Sequence, residues 1–162
     1  MEIPFSRRRL DRILDLIREC QYSIHDLSRV QLDNTAPRTP RFNMPFELGL
    51  AVGLPEKIGE HGHNWIVCEA VPYRLQKSLS DLSGTDVYIH DGTIRGVFRE
   101  MCNAFVRSSR QPTAPQMATI YRILRKSLKR VLRRAGTRTP FNARVFKELC
   151  VLASAAASQL VE

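Results

Sequence analysis

Two short acidic motifs in the first third of the chain contain the residues best suited to chemistry. Asp26 and Ser28 end the segment "YSIHDLS", and Glu47 follows Pro45 and Phe46 in "NMPFELGLA". A carboxylate in a crevice can stabilise the positive charge of an oxocarbenium ion, or it can attack an anomeric carbon directly. A second carboxylate can hold a ribose hydroxyl or the edge of a base. The two motifs are therefore compatible with chemistry at a sugar carbon, provided that the fold brings them together.

The elements around these motifs decide whether they meet. "YSIHDL" has the composition of a short strand, with Tyr22 and Ile24 as its apolar positions and Asp26 at its carboxyl end. Pro45 fits the first turn of a helix that has Met44 as its N-cap. Because ligands bind beyond the carboxyl ends of parallel strands, the strand end and the helix start should face one crevice.

Helical and strand-like patterns alternate along the first two thirds of the chain. Helices are predicted over Arg7–Glu19, Tyr73–Leu82 and Ile94–Arg107, and the segments "NWIVCEA" and "DVYIHD" suit strands. This alternation predicts an α/β fold with a small parallel, flavodoxin-like sheet flanked by helices. After "SSRQPTAP" the pattern is wholly helical. We therefore expect an α/β domain over residues 1–110 and a basic helical extension over residues 111–162.

The stretch "RLDRILDLIRECQYSIHDLS…RFNMPFELGLAVGL" resembles the nucleoside 2-deoxyribosyltransferase-like group, which is related in fold to Toll/interleukin-1 receptor-like (TIR) domains that cleave NAD. In that group a strand ends in an Asp-x-Ser motif. A following helix begins with Phe-Glu-x-Gly-x-Ala, and its glutamate is catalytic. The residues that match these two motifs are Asp26, Ser28, Phe46, Glu47, Gly49 and Ala51. The resemblance covers roughly residues 9–70, which is under half of the chain.

The resemblance implies an N-glycosidase or a deoxyribosyltransferase that acts on a nucleotide, a nucleoside or NAD and needs no cofactor. It implies Glu47 and Asp26 as catalytic residues. The residues expected to contact the substrate are Ser28, Arg41, Asn43, Phe46 and Gly49, with Arg41 placed to bind a phosphate. The resemblance also implies a role in bacterial defence or toxicity, and activation by self-association.

Two departures from the family pattern keep a second hypothesis open. The family has a strand before the first helix, whereas Met1 lies only a few residues before it here, so the resemblance implies an N-terminally shortened member. The loop reads "PRFN" where transferases of the family carry an acidic residue. A catalytically silent domain that binds a nucleotide or a partner fits both departures. Glu47 would then be a helix-start acid at N3, worth roughly 0.3–1 kcal/mol, and Asp26 and Ser28 would cap a turn.

Positive charge is concentrated in one segment. The formal net charge is +9, and residues 107–144 hold eleven Lys or Arg and no Asp or Glu. A helix predicted over Met117–Arg134 has an apolar stripe on one side, and the final helix is expected to pack on it through Phe141, Val145 and Leu149. The other side carries Arg122, Arg125, Lys126, Lys129, Arg130, Arg133 and Arg134. This face is either a solvated surface or a contact for nucleic acid or an acidic protein.

Other residue classes restrict the function further. No apolar run approaches the roughly 18 residues of a membrane span, and the N-terminus has no signal core, so we expect a cytoplasmic protein without a membrane partner. The four cysteines form no CxxC pair and are expected to be buried thiols. "HGH" at residues 61–63 has no third ligand nearby, so no metal is predicted. We expect His25 to be packed or exposed rather than a base, and a capped loop explains His90.

Overall fold

The computed structural model describes residues 9–54, 62–106 and 111–160. It divides into two compact units, Met1–Thr93 and Ile94–Glu162. The helix that begins at Ile94 packs with the C-terminal helices in the second unit. The predicted domain boundary between residues 110 and 111 stays a prediction. The boundary between the two compact units lies earlier, between Thr93 and Ile94.

The first unit is an α/β structure built on three parallel strands. Its elements in chain order are α1 (Arg9–Glu19), β1 (Tyr22–Asp26), α2 (Asn43–Gly53), β2 (Asn64–Glu69), α3 (Arg74–Ser78), one 3-10 turn (Ser80–Leu82) and β3 (Val87–Ile89). The strands pair in the order β1-β2-β3, and both pairs are parallel. The predicted fold class is therefore confirmed. The helix predicted over Tyr73–Leu82 is shorter than expected, because Tyr73 adopts a left-handed φ of 62° and Leu79 leaves the helical region.

A small apolar core fixes α2 on the sheet. Leu48 of α2, Val67 of β2, Leu75 of α3 and Leu27 form one buried cluster. Burying a Leu or Val side chain fully contributes about 1.5–3 kcal/mol. Because Leu48 has no exposed surface, the rotation of α2 about its axis is fixed, and so is the direction in which its first turn faces.

The inward face of β1 is polar, contrary to the sequence pattern. Tyr22 and Ile24 are about half exposed, whereas His25 is buried. The register pairs His25 with Val67 and Ser23 with Trp65, so Ser23 and His25 lie on the core side of the sheet. Ile24 thus lies on the exposed side of the strand, and His25 is a packed histidine, which is one of the two alternatives that the sequence left open for it.

A chain of hydrogen bonds makes the buried histidines compatible with the core. His63 Nδ1 donates to the Cys20 carbonyl at 2.7 Å, so the His63 Nε2 of a neutral ring is an acceptor for the Ser23 hydroxyl at 2.9 Å. Ser23 Oγ then accepts from His25 Nε2 at 2.8 Å. His25 Nδ1 is left buried without a partner in the described part of the chain. A proton added there would have no acceptor.

The second unit consists of α4 (Ile94–Ala104), α5 (Ala114–Arg134) and α6 (Ala143–Leu160). Thr113 and Gln116 form a capping box that starts α5. The predicted apolar stripe of α5 is partly or fully buried, and Val131 is completely buried, as is Val145 of α6. The amphipathic helix and its packing against α6 are therefore confirmed.

Two expectations for side chains in this fold are wrong. Phe141 was expected to point inward but is 92% exposed, because α6 begins only at Ala143 and Phe141 precedes the helix. Of the four cysteines, only Cys68 is buried, and Cys20 and Cys150 are exposed. No helix among the described residues is long and apolar enough to cross a membrane.

The buried histidine predicts a pH-dependent stability. Burial, and after it the nearby His63, lowers the pKa of His25 from 6.5 to about 4. The unfolded chain therefore binds a proton between these pH values that the folded chain does not bind. Stability should fall as pH drops from 6.5 toward 4, by up to about 1.4 kcal/mol per pH unit from this residue.

Urea unfolding of the parent chain and of His25→Gln at pH 4.5, 5.5, 6.5 and 7.5 measures this slope. The variant should lose most of it, whatever its absolute stability. Gln21→Ala, a change at an exposed neighbour, is the control and should keep the slope. Equal slopes in the parent and in His25→Gln would contradict the assignment.

Candidate functional site

The two acidic motifs line a single cavity at the carboxyl end of β1. The cavity has a volume of about 310 Å³, which is at the small end of the range for ligand pockets. Its lining combines two carboxylates, two guanidinium groups, one amide and two apolar side chains: Asp26, Arg29, Val30, Arg41, Asn43, Met44 and Glu47. Of the residues predicted for the site, Asp26, Arg41, Asn43 and Glu47 are therefore brought together.

The helical repeat of α2 explains which of its residues reach the cavity. Asn43, Met44 and Glu47 are separated by three and four positions, so they share one side of the helix. Leu48 and Ala51 face the core. Phe46 is 55% exposed and does not line the cavity, and a Cβ added at Gly49 would meet no described atom within 4 Å. The predicted substrate contacts of Phe46 and Gly49 are not part of this geometry.

Glu47 lies deeper in its helix than the sequence indicated. The N-cap is Phe42, not Met44, and the first helical residue is Asn43. Glu47 is therefore in the second turn rather than at N3. A carboxylate loses most of its interaction with the helix dipole beyond the first turn, so the structural explanation for this glutamate is weaker than the sequence alone made it.

Several polar side chains around the cavity are not used by the fold. Within the described residues, the side chains of Glu47, Arg41, Asn43 and Arg29 make no hydrogen bond or ion pair with protein groups. Charged groups that stabilise a fold are normally paired or exposed to bulk water. Arg29, Arg41 and Asn43 are exposed, as this rule expects, whereas Glu47 is half-buried without a partner among the described residues. Together these groups of opposite charge line one cavity.

Asp26 differs from these residues because it is held in place. Its Oδ1 accepts the backbone N–H of Ser28 at 2.9 Å and lies 3.3 Å from His90 Nε2. Burial raises the pKa of Asp26, but the hydrogen bonds from Ser28 and the hydrogen bond and charge of His90 outweigh it, so the pKa is lowered. Ser28 is thus a partner of Asp26 and is not among the cavity-lining residues.

His90 has one defined role in this arrangement. It is 5% exposed and follows directly after β3. Its Nδ1 accepts the N–H of Gly92 at 3.1 Å, so the hydrogen of the neutral ring lies on Nε2 and is donated to Asp26. The sequence expectation that a loop explains His90 missed this contact. The signal was present, because the residue stands at the carboxyl end of a parallel strand.

A buried ion pair supports the loop after β1. Glu69, at the end of β2, is 2% exposed and forms a bidentate pair with Arg74, whose Nε lies 2.8 Å from Glu69 Oε2. Arg74 Nη2 also donates to the Ser28 carbonyl at 2.7 Å. The Glu69 carboxylate further accepts the N–H of Ala70. The loop that follows Asp26 and contains Ser28 is thereby tied to the central strand of the sheet.

The other predicted site residues lie in the second unit. The seven basic residues of α5 are all exposed at its surface. No group of three His, Cys, Asp or Glu among the described residues is arranged to hold a metal ion. His61 of the "HGH" segment lies outside the described residues, and His63 is used by the hydrogen-bond chain to Ser23.

Comparison with known proteins found no matching family model, no matching curated protein and no matching solved structure. The resemblance based on the two motifs therefore stays a hypothesis.

The pair between Glu69 and Arg74 predicts a loss of folding stability when the buried Glu69 carboxylate is removed. Glu69→Gln should destabilise the first unit by roughly 1.5–3 kcal/mol in urea unfolding, because the charge-assisted hydrogen bonds from Arg74 are lost while the Arg74 side chain, 28% exposed, stays partly solvated. Glu19→Gln, at an exposed position, should change stability by less than about 0.5 kcal/mol. Adding Arg74→Gln to Glu69→Gln should cost less than Arg74→Gln alone. Additive effects of the two substitutions would contradict the pair.

The contact between His90 and Asp26 predicts a change in acidity at the cavity. In His90→Phe the ring and its burial are kept, but the donor is lost. Burial raises the pKa of Asp26, and in this variant only the hydrogen bonds from Ser28 would still lower it. The pKa of Asp26 should therefore rise. Carbon-13 NMR titration of the Asp26 carboxyl measures this, with the exposed Asp81 carboxyl as reference. An unchanged Asp26 titration would show that His90 does not act on it.

Proposed function

We propose that this chain binds a nucleotide, a nucleoside or NAD in the cavity and cleaves or transfers its N-glycosidic bond. The observation that carries the proposal is that the carboxylates of Asp26 and Glu47 and the guanidinium of Arg41 line one cavity at the carboxyl end of a parallel strand. Ligands of open α/β sheets bind at this edge. The motif resemblance supplies the reaction class.

Glu47 is the group assigned to the sugar carbon. The bond between C1′ and the base nitrogen breaks, and its electron pair leaves with the base. The carboxylate stabilises the resulting oxocarbenium ion or forms an ester with C1′. Water then adds to C1′, and its second proton goes to the released base of a nucleoside or nucleotide, or to solvent when neutral nicotinamide leaves NAD⁺, so the net reaction is hydrolysis. A second base in place of water gives transfer.

The unpaired state of Glu47 within the described residues supports this role. A nucleophile or electrostatic stabiliser must be free to face the reacting carbon, whereas an acid bound to a neighbouring cation is already compensated. Asp26 is held by Ser28 and His90 with a lowered pKa, so it is ionised at neutral pH. Its role is to accept a hydrogen bond from a sugar hydroxyl and to fix the orientation of the ring.

The cations determine the kind of substrate. Arg41 and Arg29 line the same cavity as the carboxylates, and arginine binds phosphate through paired N–H donors. The start of α2 adds unpaired backbone N–H groups and the positive end of the helix dipole. These features favour a phosphorylated substrate over a plain nucleoside.

A second candidate function is binding without catalysis. It is favoured by the two arginines, because a cavity with two guanidinium groups at a helix start binds a phosphate without any covalent step. In this case Glu47 and Asp26 would accept hydrogen bonds from ribose hydroxyls.

Incubation with NAD and with a panel of nucleosides and nucleotides, followed by chromatography of released bases, tests the proposal. Base release is expected from at least one substrate. Glu47→Gln should reduce it at least 100-fold while leaving the unfolding midpoint nearly unchanged, because the shape is kept and the group is unpaired in the fold. Asp81→Asn, an exposed acid outside the cavity, is the matched control and should retain full activity.

Arg41→Gln separates the roles of charge and chemistry. It should raise KM for a nucleotide about tenfold and leave KM for the corresponding nucleoside unchanged, since only the phosphate contact is lost. If no base is released but calorimetry detects nucleotide binding that Arg41→Gln weakens, the binding function replaces the enzymatic one. Absence of both base release and binding would reject both candidates.

A further inference from the structure

The exposed side of α5 carries a concentration of charge that the cavity does not explain. We define the basic face as Arg125, Lys126, Lys129, Arg130 and Arg133, which are all exposed. Helix α5 contains no acidic residue along its 21 residues. The opposite side of the helix packs within the second unit through its apolar stripe. One side of α5 is therefore used for folding, and the other presents charge of a single sign.

The basic residues of α5 that flank the basic face, Arg122 and Arg134, have partners within the protein. Arg134 lies 3.6 Å from Glu148 of α6. Arg122 donates to the Ala118 carbonyl and to Thr119 of its own helix. Among the described residues, the five side chains of the basic face have no such partner.

This arrangement is unfavourable for the isolated helix. Like charges four residues apart in a helix destabilise it by about 0.2–0.5 kcal/mol per pair. Arg125 with Lys129, Lys126 with Arg130, and Lys129 with Arg133 are such pairs. Of these residues, only Arg133 lies in the last turn, where the helix dipole favours a cation. A polyanion bound to the face would relieve this repulsion.

The charged surface continues past the end of the helix. A shallow, open depression of the surface lies there, lined by Lys129, Leu132, Arg133, Gly136, Thr137 and Arg138. Gly136 has a φ of 63°, which lets the chain turn sharply after α5. The turn places Arg138 beside Lys129 and Arg133 of the basic face around one space. The cationic surface is thus continuous from the middle of α5 into the following loop.

The spacing of the charges suits a regular row of phosphates. Arg125 and Arg133 are eight positions apart, which corresponds to ~12 Å along the helix axis. Phosphates on one strand of a duplex rise ~3.4 Å per nucleotide. Three or four phosphates of one strand therefore match the length of the face, and the length of Lys and Arg side chains allows contacts to the neighbouring strand.

The composition of the face argues against a protein partner. Protein interfaces are centred on buried aromatic or aliphatic anchors, with charges at the rim. The most exposed large apolar side chain of α5 is Ile123, and it is only 39% exposed. Tyr121 packs edge-on against Phe98, with 5.8 Å between the ring centroids, so it is not free to stack on a base. The face lacks both the apolar centre of a protein contact and the aromatic platform of a single-strand site.

We propose that the basic face and Arg138 bind the phosphate backbone of a double-stranded nucleic acid, without reading its sequence. The face has no Asn or Gln with which to read base edges in the groove. This surface lies in the second unit and is independent of the function proposed for the cavity in the first.

Fluorescence anisotropy with a labelled 20-base-pair duplex tests the inference on the full chain. Binding is expected at 50 mM NaCl and should weaken steeply by 200 mM. The plot of log Kobs against log salt concentration should have a slope of about −3 to −5, because each of the phosphate contacts releases roughly 0.9 counterion. Duplexes of unrelated sequence should bind within about threefold of each other.

Charge reversal on the face identifies the surface. The triple variant Arg125→Glu, Lys129→Glu and Arg133→Glu should lower affinity at least 100-fold and keep its helical circular dichroism, since Glu is also a good helix former. The matched control is Arg12→Glu, Lys77→Glu and Arg95→Glu, which changes the net charge equally at exposed positions outside α5. The control should lose less than tenfold.

The remaining outcomes overturn the inference. No binding at 50 mM NaCl would leave the basic face as a solvated surface. Equal losses in the two triple variants would show attraction by net charge alone. Tighter binding to polyglutamate than to the duplex would point to an acidic protein. Tighter binding to a single strand, lost in Phe141→Ala, would assign the contact to stacking on that exposed ring.

Discussion

The buried pair between Glu69 and Arg74 is the interaction on which the arrangement of the first unit most depends. One carboxylate at the end of the central strand accepts hydrogen bonds from Arg74 and from Ala70, and Arg74 also holds the Ser28 carbonyl. The β1 loop, the end of β2 and the first residue of α3 are thereby joined at one point. A charge this deeply buried is costly unless every lone pair is used, so the pair restricts how these three segments can be placed. Ser28, whose backbone N–H donates to Asp26 next to the cavity, is one of the residues held by that restriction.

The cavity and the core are two consequences of one helix orientation. Leu48 is fully buried against Val67, and this contact fixes α2 on the sheet. Since Glu47 precedes Leu48 by one residue, or about 100° around the helix, it is directed to the rim of the core rather than into it. There it meets Asp26 from the neighbouring strand around one cavity. The partially buried carboxylates are thus tolerated because they border an open space and not a packed interior.

The sequence pattern identified the parallel strands, the amphipathic α5 and the cavity residues Asp26 and Glu47, because these depend on local periodicity and on the rule for strand ends. Arg41 and Asn43 were expected at the site only because the motif resemblance implied them. The sequence pattern missed those features that depend on contacts between distant segments. His25 lies on the inward face of β1, where Ser23 links its ring to His63 by hydrogen bonds. His63 is 38 residues further along the chain, so this contact leaves no local signal in the sequence. Helix α2 begins at Asn43, before the proline used to place its start. Glu69 and His90 stand at strand ends like Asp26, but their partners Arg74 and Asp26 are not apparent from local sequence, and for His90 a capped loop was the expected explanation.

The two units carry charge in opposite ways, and this difference separates the two functions that we propose for them. In the first unit the strand-end charges Asp26, Glu69 and Arg74 are hydrogen-bonded, and the cavity mixes both signs within a small volume. Such a site is selective for a compact ligand that carries both an anion and a group able to donate to carboxylates. On α5 the charges are of one sign and are spread over a long exposed surface. Such a surface would distinguish ligands by charge density and length rather than by shape, as expected for the proposed contact with a phosphate backbone independent of its sequence.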